Sequence, residues 1–222
     1  MDTTIQELQF LNLLFLENNK KKNQANHKNY LFKKGEIPIL LSAPHAVGHY
    51  REGQYKVHDY LTGPLAIYIA EKCHCSYLVR TFNNDDDPNY PLGTTLQNPT
   101  DAYLLELQKI IQEHKILLVI DIHGCGDHKQ VDCSIWSNQY QTCPYSLISI
   151  LHKHLKQANF STDDGQEYLG GQVTRQSSLL TNAFQIEIKR KIRTTEKDIF
   201  LLDAYIKAMV TAITEIHHHL SS

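Results

Sequence analysis

Two unbroken apolar runs, each closed by a histidine, constrain this chain more than any other feature. The first is Ile37-Pro-Ile-Leu-Leu-Ser-Ala43, followed by Pro44-His45. The second is Ile116-Leu-Leu-Val-Ile-Asp121-Ile122, followed by His123-Gly124. A strand solvated on one face alternates apolar and polar residues, whereas a continuous apolar run fits a strand buried on both faces. Such strands belong to parallel sheets covered by helices on either side. Sheets of that kind place ligands beyond the C-terminal ends of their strands, which is where both histidines stand.

The remaining segments extend this pattern. A capping box at Thr4-Ile-Gln-Glu7 and apolar residues through Leu16 predict a first helix. Thr62-Gly-Pro64 opens a second helix that runs through Lys72, with proline in the first turn where its missing N–H costs little. Ser76 to Phe82 predicts a strand, Asn98-Pro99 the start of a helix ending near His114, and Cys133 to Trp136 a short strand. Pro144 to Ala158 carries a helical stripe at Leu147, Ile148, Leu151 and Leu155. Phe184, Ile186 and Ile188 alternate with Gln185, Glu187 and Lys189, the period of a strand. Thr195 to His217 reads as a long closing helix. Polar loops are expected over Asn18 to Asn29, over Asn83 to Asn98 with Asp85-Asp86-Asp87-Pro88-Asn89 inside, and over Gly165 to Ser178. Strands alternating with helices predict an α/β fold, with a mainly parallel central sheet in a three-layer α/β/α arrangement. The whole of 1–222 reads as one domain, of which 1–30 supply an N-terminal helix and a polar loop.

Composition removes several classes of function. A net charge of -2 and a pI near 6.7 give no electrostatic basis for binding nucleic acid. Lys20-Lys21-Lys22 reads as a solvated connection. No run approaches the roughly 18 apolar residues that a bilayer crossing requires, and no secretory signal opens the chain. The five cysteines form an odd set without a repeated Cys-x-x-Cys pair, so thiols in a reducing cytoplasm are expected. Cys73-His74-Cys75 closes a helix and opens a strand, which does not converge four zinc ligands. Cys125 beside His123 lacks the electropositive setting of a nucleophile.

Two imidazoles and a carboxylate, with a fourth position open, make a catalytic zinc site. His45 and His123 supply the imidazoles. Asp59, just before the second helix, is the first choice for the carboxylate, with His49, His58 and Asp121 as competing ligands. Asp121 lies two residues before His123 and so shares its face; it either orients the ring or faces the metal. Glu187, on the polar side of its strand, is placed to take a proton from water activated by the metal and pass it to a leaving nitrogen.

Together these blocks resemble the N-formylglutamate amidohydrolase (deformylase) family. The resemblance rests on Ala-Pro-His45 with Arg51-Glu-Gly, Lys56, Asp59 and Thr62-Gly63, and on Asp86-Asp87-Pro88-Asn89-Tyr90. It continues through Asp121-Ile-His123-Gly and Phe-Gln-Ile-Glu187-Ile, so that it spans roughly Ile37 to Arg193. It implies a fold shared with zinc carboxypeptidases and a zinc-dependent amide hydrolase, with His45, Asp59 and His123 on Zn2+ and Glu187 as acid and base. Gly48 stands where a His-x-x-Glu pattern would put a carboxylate, so that ligand must come from farther along. Arginine grips carboxylates at two points, and Arg80, Arg175, Arg190 and Arg193, with Arg51, are the candidates for anchoring a small acidic substrate. The expected activity is cleavage of an N-acyl amino acid. A carboxypeptidase-like peptidase and a non-catalytic binding protein on the same fold are the alternatives.

Overall fold

The computed structural model describes residues 3–19 (side chains from Gln6 onward), 28–83, 86–90, 101–165, 170–194 and 199–221. In chain order the elements are α1 (Thr3–Asn18), β1 (Tyr30–Lys33), β2 (Ile37–Ala43), β3 (His49–Arg51), β4 (Gln54–Lys56), α2 (Thr62–Cys73) and β5 (Cys75–Arg80). There follow α3 (Ala102–Glu113), β6 (Leu118–Cys125), β7 (Cys133–Trp136), α4 (Tyr145–Gln157), β8 (Thr162–Asp163), α5 (Gln172–Ser177), β9 (Asn182–Lys189), α6 (Arg190–Arg193) and α7 (Ile199–Ser221). A seven-stranded sheet has the order β1-β5-β2-β6-β9-β7-β8. Its central strands β5, β2, β6 and β9 run parallel, while β1 and β7 pair antiparallel to their inner neighbours. β3 and β4 form a separate hairpin.

The sheet is mixed and covered on both faces, as the apolar runs require. Ile39 and Leu41 of β2, Ile120 and Ile122 of β6, and Phe184, Ile186 and Ile188 of β9 pack with α1, α2, α4 and α7 in one core. Leu40, Leu78, Val119 and Ala183 point the other way, under α3 and α5. Burying each such aliphatic side chain contributes about 1.5–3 kcal/mol. The stripe Leu147, Ile148, Leu151 and Leu155 is buried along α4. On β9 the alternation leaves Gln185 and Glu187 on the α5 face, close to the end of β6.

Several expectations need correction. The segment from Gly165 to Ser178 is not loop throughout, because α5 occupies Gln172–Ser177; the Asn89 side chain accepts the Val173 N–H at 2.9 Å and fastens that short helix. β1, β8 and the β3–β4 hairpin are additional strands, β6 reaches Cys125 and α7 reaches Ser221. α3 starts at Ala102, capped by Asp101, whose carboxylate accepts the N–H groups of Tyr103 and Leu104 at 2.8 and 3.2 Å. The expectation for the Thr4 cap rests on a side chain outside those described, and those for Lys20–Lys22, for Asn98-Pro99 and for the start of the last helix at Thr195 lie outside the described residues. Among the described residues no helix is long and apolar enough to cross a membrane.

Candidate metal centre

β2 and β6 are parallel neighbours with Ser42 beside Asp121. The turn after β2 therefore brings His45 to the end of β6, where its ring meets that of His123 edge to face, centroids 4.7 Å apart. Asp59 arrives from the loop before α2. Its N–H donates to the His45 carbonyl at 2.8 Å, and its Oδ2 accepts the Gly124 N–H at 3.0 Å. That Oδ2 lies 3.6 Å from His45 Nδ1 and 3.4 Å from His123 Nδ1. The three residues each offer a ligand atom within 4.8 Å of the others.

The opposite ring nitrogens are already held. His45 Nε2 meets Asp87 Oδ1 at 2.8 Å, and His123 Nε2 meets Asp121 Oδ2 at 2.9 Å. Asp121 is fully buried and accepts the Ser42 hydroxyl at 2.9 Å; Tyr103, against Ser42, donates to the Leu78 carbonyl at 2.7 Å. Asp87 Oδ2 accepts Arg51 Nε at 2.8 Å and Nη2 at 2.7 Å, and the guanidinium lies over the Tyr90 ring. Each imidazole thus carries a carboxylate on one nitrogen and turns the other towards Asp59, the arrangement that orients metal-ligating histidines.

This donor set suits a small divalent ion. Zinc–ligand bonds of about 2.0–2.2 Å in a tetrahedron put neighbouring donors roughly 3.3–3.6 Å apart, and the two Asp59–histidine separations are 3.4 and 3.6 Å. A second group, His45, His49 and Asp87, also converges. There the His45–Asp87 contact of 2.8 Å is a direct hydrogen bond and Arg51 already neutralises the carboxylate, so this group braces the site. His49 stacks on His45 with centroids 3.9 Å apart, and its Nδ1 is buried with no partner among the described residues.

The electrostatics follow from that geometry. Burial disfavours charge on every group here, yet the His123 and His45 imidazoles that face it hold the Asp59 carboxyl well below the usual range. Burial likewise opposes charge on His123, but Asp121 and Asp59 outweigh it and raise the imidazole to about 10. His49 has no comparable support, and burial pushes it down to about 3. Burial pushes the Cys125 thiol up to about 11, which removes the thiolate that a cysteine nucleophile would need.

Glu187 lies beside His123 in the parallel β6–β9 register. It lines a cleft of about 260 Å3 together with the two histidines, Asp59, Arg51, Lys56 and Asn89. The arginines divide. Arg80 has no exposed surface and donates to the Phe82 and Asp86 carbonyls, at 3.1 and 3.2 Å, and to the Asp86 carboxylate. It therefore secures the acidic loop instead of facing a ligand, a correction to its expected role as a clamp. Arg175, on α5, is not in the cleft wall. Arg190 is exposed and lines an adjoining cavity, while Arg193 is buried and donates to the Ile188, Tyr60 and Cys125 carbonyls. Arg51, in contrast, stands in the cleft.

Two glycines make these approaches possible. A Cβ on Gly124 would lie 2.3 Å from the Arg193 guanidinium. At Gly48 it would lie 2.3 Å from the Tyr55 hydroxyl, so a side chain there would have to displace that exposed ring, whereas Asp59 already places a carboxylate between the two histidines. His58 is turned away, with Asn19 against its Nδ1. Asp87 and Asn89 belong to an acidic loop that the sequence marks out, but their contacts with His45 and His123 depend on how that loop folds back.

The chain has the fold of N-formylglutamate amidohydrolase. It is similar to that enzyme from Ralstonia eutropha with a TM-score of 0.65 at 13% identity, over 87% of this chain and 98% of the other. A gene product of Agrobacterium tumefaciens is similar with a TM-score of 0.63 at 13% identity, over 93% and 99%. A bacteriophage poly-gamma-glutamate hydrolase is similar with a TM-score of 0.53 at 12% identity, over 93% and 94%. No protein-family model and no curated protein matches the sequence.

Proposed function

We propose that this protein is a metal-dependent hydrolase that cleaves the amide bond of a small acidic N-acyl amino acid. One observation carries the reading: Asp59 Oδ2 stands 3.6 Å from His45 Nδ1 and 3.4 Å from His123 Nδ1, while Asp87 and Asp121 hold the far side of each ring. Zinc fits the two-imidazole, one-carboxylate set best. The fold shared with an enzyme named for N-formylglutamate and a hydrolase named for poly-gamma-glutamate supports an amide substrate with acidic groups.

His45, Asp59 and His123 would hold the cation, which supplies a Lewis acid that acidifies water and polarises the scissile carbonyl. Asp87 and Asp121 keep both imidazoles oriented with Nδ1 inward. Glu187, in the cleft wall, accepts the proton of the attacking water and delivers it to the departing nitrogen, so the amine leaves neutral. Arg51 and Lys56, on the hairpin beside the cleft, attract the acidic end of the substrate.

The test is Glu187→Gln, which keeps the shape and removes the base. Zinc content should stay at one equivalent while kcat on N-formylglutamate falls about a thousandfold. Turnover retained in that variant removes Glu187 from the mechanism, and a wild-type protein that takes up no metal removes the hydrolase reading itself.

A further inference from the structure

On α7 one stripe of the helix is left to solvent. Phe200, Asp203, Lys207 and Thr211 recur along it at helical spacing. Phe200 opens the stripe with its side chain 85% exposed, more than any other large apolar residue among those described. One turn farther on, the same side of α7 meets α2 in a cavity of about 350 Å3. Tyr68, Ile206 and Val210 form its apolar wall, Asp203 and Lys207 stand at its border, and Lys72 lies over the Tyr68 ring at 4.9 Å.

A bulky apolar knob and an apolar hole therefore share one surface, displaced along one helix. Phe200 cannot fill the hole of its own chain. It lies ten residues before Val210, about 15 Å away at roughly 1.5 Å per residue, which is beyond the reach of a phenyl ring. A second copy turned end for end carries the knob to the right place. An isologous contact of that kind needs a surface that complements itself, and the charges on the stripe do so. Asp203 and Lys207 are one helical turn apart, with 2.6 Å between carboxylate and ammonium. In an antiparallel pair with Asp203 opposite Lys207 of the second copy, the four charges alternate. The same register sets Phe200 opposite Val210 of the second copy. A parallel pair would oppose like charges and leave both holes empty.

We infer that two copies of this chain associate through α7, antiparallel across a two-fold axis, each Phe200 seated in the cavity between α2 and α7 of the other. A buried aromatic ring in a pocket is the usual anchor of such a contact. From Ile199 to Thr211 the shared strip is about 18 Å long and about 10–12 Å wide. That covers well under the roughly 800 Å2 per partner of a standard interface, so the pairing is reversible and concentration-dependent. The inference is independent of the hydrolase reading, since it uses none of the residues around the candidate metal centre.

Sedimentation velocity of the full chain, from about 1 to 300 µM, tests it. The wild type should pass from monomer to dimer with a Kd of about 10–100 µM, as a small interface implies. Phe200→Ala should weaken the dimer at least about 30-fold with an unchanged Tm, because the ring is exposed in the single chain. Asp203→Lys and Lys207→Asp each bring like charges opposite one another, so each protein alone should stay monomeric. Mixed in equal amounts, the two should form a heterodimer, which an ion pair within one helix cannot produce. A wild type that is monomeric throughout, a dimer that survives Phe200→Ala, or charge variants that fail to associate on mixing overturn the inference. So does a monomer whose Phe200 instead drives binding to vesicles of phosphatidylcholine and phosphatidylglycerol, which would give this face a lipid surface as its occupant.

Discussion

Two clusters of histidine and aspartate stand on the same sheet, and they are built to opposite ends. At the β8 edge, His152 of α4 places Nδ1 2.7 Å from the Thr162 hydroxyl and Nε2 2.5 Å from Asp164, whose second oxygen accepts the Tyr140 hydroxyl at 2.6 Å. Both ring nitrogens are satisfied, and the cluster ties a helix to a two-residue strand. Over the centre of the sheet, His45 and His123 each have one nitrogen held by a carboxylate. The other faces a shared Asp59 oxygen at 3.6 and 3.4 Å, beyond the range of a strong hydrogen bond. The first cluster is closed and the second leaves convergent donors. Residue types alone do not distinguish a ligand site from a structural clasp; what distinguishes them is which nitrogen remains free and where it points.

That contrast can be broken from either side. Asp121→Asn should have the largest effect, because it removes the buried charge that orients His123. Zinc affinity should fall by about 10–100-fold, as read by competition with a chromogenic chelator. A change below twofold would mean that Asp121 does not position a ligand. His152→Ala should cost about 1–3 kcal/mol of stability through lost hydrogen bonds, seen in denaturant unfolding, while zinc affinity stays at the wild-type value. A loss of zinc in that variant would erase the distinction between the clusters.

The smallest expected effect lies at a peripheral clasp. Asp132 meets Lys191 at 2.7 Å and accepts the Ser161 hydroxyl at 2.8 Å. Burial opposes its charge, but Lys191 and Ser161 together outweigh this and lower its carboxyl to about 2. A folded-state value below that of the unfolded chain stabilises above about pH 4, and the contribution disappears as pH falls towards 2. Asp132→Asn should therefore cost about 0.5–1 kcal/mol at pH 7. Thermal melting of the two proteins should converge near pH 2, and a constant difference across that range would contradict the assignment.

The central strands and the residues at their ends were legible because burial on both faces writes itself as an apolar run. Ile37 to Ala43 is β2 residue for residue, and the alternation around Glu187 is β9. The hairpin was not legible. Its turn, Glu52-Gly53, lies at φ +53 and +74, but the flanking His49–Arg51 and Gln54–Lys56 are short and polar, without the hydrophobic alternation that marks strands. α5 was hidden by glycines and polar residues, since a helix of six residues is held by Asn89 and packing instead of by its own propensity. Arg80 was misread as a clamp because a strand end near a candidate site looks the same whether the guanidinium faces solvent or is buried against Asp86. Asp87 was visible as part of an acidic loop, but its bond to His45 spans 42 positions, a distance that local pattern does not encode.

Anomalous scattering at the zinc edge, from crystals grown with one equivalent of zinc, tests the central claim most directly. One peak should lie within about 2.2 Å of His45 Nδ1, His123 Nδ1 and an Asp59 oxygen, with Asp87 and Asp121 touching only the rings. A peak at His49 and Asp87, a peak elsewhere on the molecule, or none at all would contradict the site on which the proposed chemistry depends.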